Sequence, residues 1–382
     1  MFFFILAISF YIIFMFFIIG ILIATFLSFL LLLKKNKTRA DKILLGWLFL
    51  IAIHQVLFYL TFTEELYNYP YLLGIELLMP ILHGIFLYLY TLELTGNKLK
   101  KKWHLFLHLL PTLSIVILAI PFYKLSGLEK IEVFKNNGDG FEFFMTYSSI
   151  LISVSGLFYS IWSLILVNKH QYKIQSRFSN TDKKELLWLR YLSIGYGVIW
   201  IIAAFFDGHI IFSAVVILVL FIGFFGINQL KIFYSISEDE DMFNKKEAST
   251  PKNKTSSKRK AKKITDKYAK SGLNEIMASE LYEKKKFFLR DKAFYKNEDL
   301  TLIRLSKKLQ VHPNHLSQVI NEKEGKNFYN YINSLRIKEF IKLASLPENK
   351  KYTMISLAYD CGFSSKSTFN KHFKLITGKT PT

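Results

Sequence analysis

Residues 355–381 read ISLAYDCGFSSKSTFNKHFKLITGKTP, and this stretch decides how the chain is to be understood. Ile355, Leu357 and Ala358 give a short apolar helix. Cys361-Gly362-Phe363 makes a turn in which glycine takes a left-handed conformation, and Ser365 to Lys374 forms a second helix with Phe369 and Phe373 inward. Lys366, Ser367, Asn370 and Lys371 then share the outward face of that second helix. Two short helices set across a tight turn, the second with a polar, lysine-bearing face, form a helix-turn-helix unit.

Working back along the chain, the same arrangement recurs. Leu302, Leu305 and Leu309 place an apolar stripe on a short helix, Gln310 to Pro313 makes a turn, and Asn314 opens a second helix with Leu316, Val319 and Ile320 on its inner side. Asn314, Ser317, Gln318 and Asn321 fall at i, i+3, i+4 and i+7 on the opposite face, where amides suit bidentate pairing with adenine edges. Lysine in the later unit suits guanine O6 and N7 or a phosphate, and Lys326, Lys374 and Lys379 are candidate phosphate contacts. Between the units a helix over Tyr329 to Leu346 spans roughly 27 Å, near the roughly 34 Å between successive major grooves once turns and side chains are added.

The region 300–382 resembles the DNA-binding domain of the AraC/XylS regulators at LTLIRLSKKL, HPNHLSQVI, FYNYINSLRIKEF and above all the GF-S-S-x-S-x-F-x-x-x-F-K-x-x-x-G-x-T-P spacing. The resemblance implies two helix-turn-helix units on duplex DNA, with the base-contacting positions falling on Asn314, Ser317, Gln318, Lys366, Ser367, Asn370 and Lys371. Ser306 stands where the family carries a small residue. The family pattern runs on past Thr-Pro into a further short helix, whereas this sequence ends at Thr382 and is expected to be either truncated or without that helix.

Composition divides the chain. Of a net charge of +21, +18 resides in residues 242–382, with 31 Lys and Arg against 13 Asp and Glu, which marks that part as a partner for polyanions. The remainder is close to neutral and holds most of the 37 phenylalanines of a chain that is 51% hydrophobic. Its single cysteine, Cys361, excludes an internal disulfide. Apolar runs at Phe2–Leu33, Ile43–Phe62, Tyr69–Leu94, Trp103–Tyr123, Phe143–Val167, Trp188–Phe206 and His209–Phe233 predict seven membrane spans. The opening run lacks a basic start and is too long for a cleavable signal. Only Asp207-Gly208-His209 separates the last pair, so a re-entrant hairpin is an alternative there.

Loops after the first, third and fifth spans are basic (Lys34 to Lys42, Lys98 to Lys102, Lys169 to Arg190), while those after the second, fourth and sixth are neutral or acidic. Positive charge stays on the cytoplasmic side. An inner-membrane protein follows, with its amino terminus outside and its carboxyl-terminal domain in the cytoplasm. Ionisable groups in hydrocarbon are costly, and Glu76 and His83, seven apart around Pro80, are candidates for sensing a signal; the bland reading is interhelical bonding that holds the bundle together. His104 and His108 lack a third ligand, so no metal is expected. The membrane half also resembles, more loosely, that of membrane-anchored regulators from bacteria of the Bacteroidetes type.

The expected organisation is all-α: a seven-helix transmembrane bundle over 1–233, a polar linker over 234–272 containing the basic run KNKTSSKRKAKK (Lys252–Lys263), connecting amphipathic helices over 273–299, and two helix-turn-helix units joined by a helix over 300–382. The connecting helices pack on the terminal domain or pair two chains, and the sequence leaves both open. The function expected is a membrane-embedded, one-component transcriptional regulator and not an enzyme, since no nucleophile, phosphate-cradling or kinase motif is present. No cofactor is expected. Partners would be duplex DNA, the bilayer, an unidentified signal ligand, a second copy in a homodimer and, for an activator, RNA polymerase. The alternatives are a transporter or membrane enzyme with an appended autoregulatory DNA-binding domain, and spans that serve only as an anchor.

Overall fold

The computed structural model describes residues 2–97, 99, 103–182, 184–206, 208–226, 275–290 and 293–381, with side chains from Met15 onward. The linker with its basic run, the end of the seventh expected span and the lysines at 98, 100–102 and 183 lie outside the described residues. The chain forms two compact units, one of residues 1–168 and 186–231, the other of 169–185 and 232–382. Apart from one isolated bridge between Phe178 and Thr301, the described residues hold only helices and turns.

In the first unit the helices are α1 (Phe2–Leu33), α2 (Arg39–Phe62), α3 (Met79–Leu94), α4 (His104–Tyr123), α5 (Gly127–Lys135), α6 (Glu142–Gln175, which continues into the second unit), α7 (Leu187–Phe205) and α8 (Gly208–Gly226). Among the described residues six helical stretches are long and apolar enough to cross a bilayer, and a shorter apolar stretch, Ile210–Phe225, stands where the seventh span is expected. Large apolar side chains point outward, with Phe106 70%, Phe143 73% and Phe224 67% exposed, as lipid-facing positions require. Helices approach closely where a small residue permits it: a Cβ on Gly156 of α6 would meet the indole of Trp200 of α7 at 2.1 Å.

The third expected span, long and apolar enough over Pro70–Leu94 to cross a bilayer, opens in 3-10 turns. Glu65–Asn68, Pro70–Leu72 and Ile75–Leu78 are 3-10 turns, and α-helix begins only at Met79. Pro70, lacking an N–H, and Gly74 with φ +86° explain the interruption. Glu76 lies in the last of these turns, which runs without a gap into α3, where His83 lies.

The second unit contains α9 (Glu275–Arg290), α10 (Leu302–Leu309), α11 (Pro313–Glu324), α12 (Phe328–Ala344), α13 (Met354–Asp360) and α14 (Lys366–Thr377). Leu305, Leu309, Leu316, Val319, Ile320 and Ile332 form one core, to which α9 adds Leu281 and Leu289. Ile337, Phe340, Leu357, Cys361, Phe363 and Phe369 form another. Helix α12 supplies both cores from its two ends, which ties the two helix-turn-helix units together. The amphipathic connecting helix packs on the domain. Its Lys285 is fully buried, donating to Glu324 Oε1 at 3.0 Å between the rings of Tyr282 and Tyr331, each 4.2 Å from its Nζ.

Candidate nucleic-acid interface

Each helix of the two units begins where a side chain satisfies a free N–H. Thr301 Oγ1 accepts from Arg304 N, His312 Nδ1 from Asn314 N, Asn327 Oδ1 from Asn330 N, Thr353 Oγ1 from Ser356 N and Ser365 Oγ from Thr368 N, at 2.9–3.3 Å. The turns are equally local. Gln310 takes a left-handed conformation at φ +59°, and Pro313 opens α11. Gly362 sits at φ +95°, where a Cβ would lie 2.5 Å from the Lys296 carbonyl oxygen.

On α14, Lys366, Ser367 and Lys371 are exposed and Asn370 is half-buried; on α11, Asn314 is exposed and Ser317 and Asn321 are half-buried, with Asn321 Nδ2 3.5 Å from Ser317 Oγ. Lys326, Lys374 and Lys379 are all exposed. Gln318 differs. It is 7% exposed, and its Nε2 donates to Glu322 Oε1 at 3.0 Å, because i+4 spacing lets the amide lie along its own helix. Lys371 Nζ lies 5.6 Å from the ring centre of buried Tyr329, which also packs against His372.

Residues 305–382 match a family described as a helix-turn-helix domain. They are an AraC-type helix-turn-helix domain. Domains of this type bind DNA and regulate transcription. No curated protein and no solved structure matches the chain.

The folded unit is larger than the AraC-type domain, and the added part escaped sequence reasoning. Residues 169–185, which read as a basic loop between the fifth and sixth spans, belong to it. Ser179 N and Oγ both donate to Leu300 O, at 3.1 and 2.6 Å, and Leu302 N donates to Arg177 O at 2.9 Å. Arg336, 1% exposed, uses all five guanidinium N–H groups. Nε donates to Tyr295 O, Nη1 to Ser179 O and Asn333 Oδ1, and Nη2 to Ser179 Oγ and Asn297 O, at 2.7–3.3 Å. Burial draws that guanidinium down to about 10, so it stays charged at neutral pH. Farther along, Ser364 Oγ and Thr368 Oγ1 donate to the two Asp182 carboxylate oxygens, each at 2.8 Å. No periodicity marks Arg336 or Asp182; only their fully assembled surroundings do.

Within the first unit, His54, Gln55, Glu76 and His83 line one apolar cavity of about 270 Å³. His54 Nδ1 and His83 Nε2 are 2.9 Å apart. Gln55 is 1% exposed with neither amide atom bonded, and Glu76 Oε2 and His83 Nδ1 likewise lack partners. Glu76 also borders a second cavity of about 300 Å³. His108 Nδ1 instead meets Tyr159 Oη at 2.9 Å, and no group of three or more His, Cys, Asp or Glu is arranged for a metal among the described residues.

Proposed function

We propose that the protein is a membrane-embedded, one-component transcriptional regulator that binds specific duplex DNA through both helix-turn-helix units and is set by a signal received in its membrane domain. The carrying observation is that an AraC-type domain with exposed Lys366, Ser367 and Lys371 shares one chain with six membrane-capable helices. The DNA face proposed is Asn314, Ser317, Asn321, Lys366, Ser367, Asn370 and Lys371. Gln318 joins it only if its bond to Glu322 opens.

An inner-membrane topology with the amino terminus outside accounts for the loop charges. Residues 169–185 and the AraC-type domain belong to one unit, so both must face the same compartment, and an even number of crossings must separate them. Helix α8, at 19 residues, is about 28 Å long, close to the roughly 30 Å of a hydrocarbon core. Counting it as a crossing gives that even number and restores seven spans in all.

The signal site proposed is the cavity that brings Glu76 and His83 together. Unbonded buried polar atoms in an apolar pocket cost free energy unless a ligand or water completes them. Duplex DNA, lipid and a small signal ligand are the partners this reading requires, with a second copy and RNA polymerase added for a dimeric activator. The test is selection from a random-sequence duplex library by the full chain in lipid nanodiscs, followed by Lys371→Ala. Loss of about 1 to 3 kcal/mol on the selected duplex, with little change on random DNA, is expected; equal losses on both would remove the base-reading role. Alanine at Glu76 or His83 is expected to abolish signal-dependent transcription while leaving binding to the selected duplex intact.

A further inference from the structure

The hold that residues 169–185 have on the DNA-binding unit is unequal along its length. Ser179 is fully buried. It is fixed by its own two bonds to Leu300 O, by Arg336 at both its carbonyl and hydroxyl, and by Asn333 Nδ2 at 3.2 Å. Three residues on, Asp182 is held by two hydroxyls, and its own N–H turns back to Asn180 Oδ1. One end is an anchor; the other, an arm beside buried Thr181, places its Asp182 carboxylate on two hydroxyls of the DNA-binding unit.

The arm rests on the start of α14. Thr368 is the third residue of α14 and Ser364 directly precedes its N-cap, so the Asp182 carboxylate lies on the first turn of the second unit's recognition helix. Free N–H groups and the positive end of the helix dipole make such a turn a seat for an anion, and hydroxyls and helix N-termini are common donors to DNA phosphates. A carboxylate and a phosphate need the same donors and repel each other. Lys366, Ser367 and Lys371 stay exposed beside it, so the contact leaves the base-reading face open but occupies a phosphate position.

We propose that residues 169–185 are a built-in competitor for DNA, with Ser179 as its anchor and Asp182 as a carboxylate that must leave the first turn of α14 before a backbone phosphate can sit there. The inference rests on the regulator reading above and names its means of control. The segment leads into α7 five residues after Asp182, so a displacement of α7 is transmitted along the chain to Asp182 without passing through Ser179. Ser179 need not move, which keeps the Arg336 bonds intact in both states.

The test uses the full chain in nanodiscs and the duplex it selects from a random library. Asp182→Ala is expected to bind that duplex about 10-fold more tightly than the unmodified chain, with a steeper salt dependence as a phosphate contact is gained. A second form, Asp182→Cys with Ser364→Cys, fixes the arm chemically. Native Cys361 is fully buried and does not interfere. Oxidised, this pair is expected to bind at least 10-fold more weakly than when reduced. Equal affinity of Asp182→Ala and the unmodified chain, or of the oxidised and reduced pair, would overturn the competitor. Failure of every form to select any duplex would overturn the regulator reading itself, and the competitor with it.

Discussion

The dependence of the DNA-binding unit on Ser179, more than 150 residues from Arg336, allows a quantitative forecast. Arg336→Met removes five hydrogen bonds at a buried site and leaves the oxygens of Tyr295, Asn297, Ser179 and Asn333 short of donors. Bonds to a charged donor contribute roughly 1.5–3 kcal/mol each, but the guanidinium's desolvation offsets much of that, so the net loss is expected near 4 kcal/mol. Ser179→Ala removes the hydroxyl that donates to Leu300 O and accepts from Arg336 Nη2. Leu300 O retains the Ser179 N–H, so the main cost is one orphaned charged donor, about 2 kcal/mol. Because the Arg336 Nη2–Ser179 Oγ bond is lost in both variants, the double variant should fall short of the sum by about 1.5 kcal/mol. Pulse proteolysis of the full chain in nanodiscs across a urea series, reading cleavage within 275–381, measures all three. Additivity within about 0.5 kcal/mol would show that residues 169–185 do not complete the Arg336 site, and would refute the reasoning.

His372 gives a pH dependence. It is 1% exposed, and burial, helped by the Lys371 and Arg336 charges, lowers it to about 4. The unfolded chain takes up this proton near the ordinary 6.5 and the folded one does not, so stability is full above about pH 6.5 and falls as pH drops toward 4. The loss is on the order of 3 kcal/mol, and His372→Leu should flatten the slope in the same proteolysis assay; an unchanged slope would place the titration elsewhere. Gly362→Ala is expected to cost about 3 kcal/mol or more, through positive φ and a Cβ against the Lys296 backbone, measured as a fall in the urea midpoint. Cys361, buried with its thiol pushed up to about 12 by desolvation, should resist iodoacetamide in the native chain and react in urea; rapid native labelling would contradict its place in the core.

The elements most legible in the sequence are those written in local periodicity. Leu302–Leu309 is a helix with the expected bounds, the second recognition helix begins one residue after the predicted start, and Gly362 takes the left-handed turn that its position before Phe363 implies. The long apolar runs likewise give α1, α2, α4, α6 and α7. The third run is long and apolar enough over Pro70–Leu94 to cross a bilayer, but it does not open as regular α-helix, because hydropathy sums side chains and ignores backbone. Tyr69 to Leu78 is apolar, yet Pro70 and Gly74 divide it into 3-10 turns, and α-helix begins only at Met79. Glu76 and His83, past Pro70 and Gly74, line one cavity.

Gln318 and Arg336 mark the limit from opposite sides. Spacing places Gln318 with Asn314 and Ser317 on a polar face, but spacing is blind to the reach of a side chain, and an amide at i has a carboxylate at i+4 within bonding distance. Arg336 lies in a helix whose pattern predicts only apolar packing, and its role arises from acceptors at Tyr295, Asn297 and Ser179, positions that no period connects. A buried guanidinium with five donors is costly unless every donor is met. Three of its five bonds go to groups within 295–333, and the remaining two go to Ser179. Only Asn333 Oδ1 among the five acceptors lies within 305–382, so the AraC-type domain taken by itself is four short at its centre; Tyr295 and Asn297 supply two, and Ser179, between α6 and α7, supplies the other two. The Arg336 site thus ties the segment between α6 and α7 to the AraC-type domain within one folded unit.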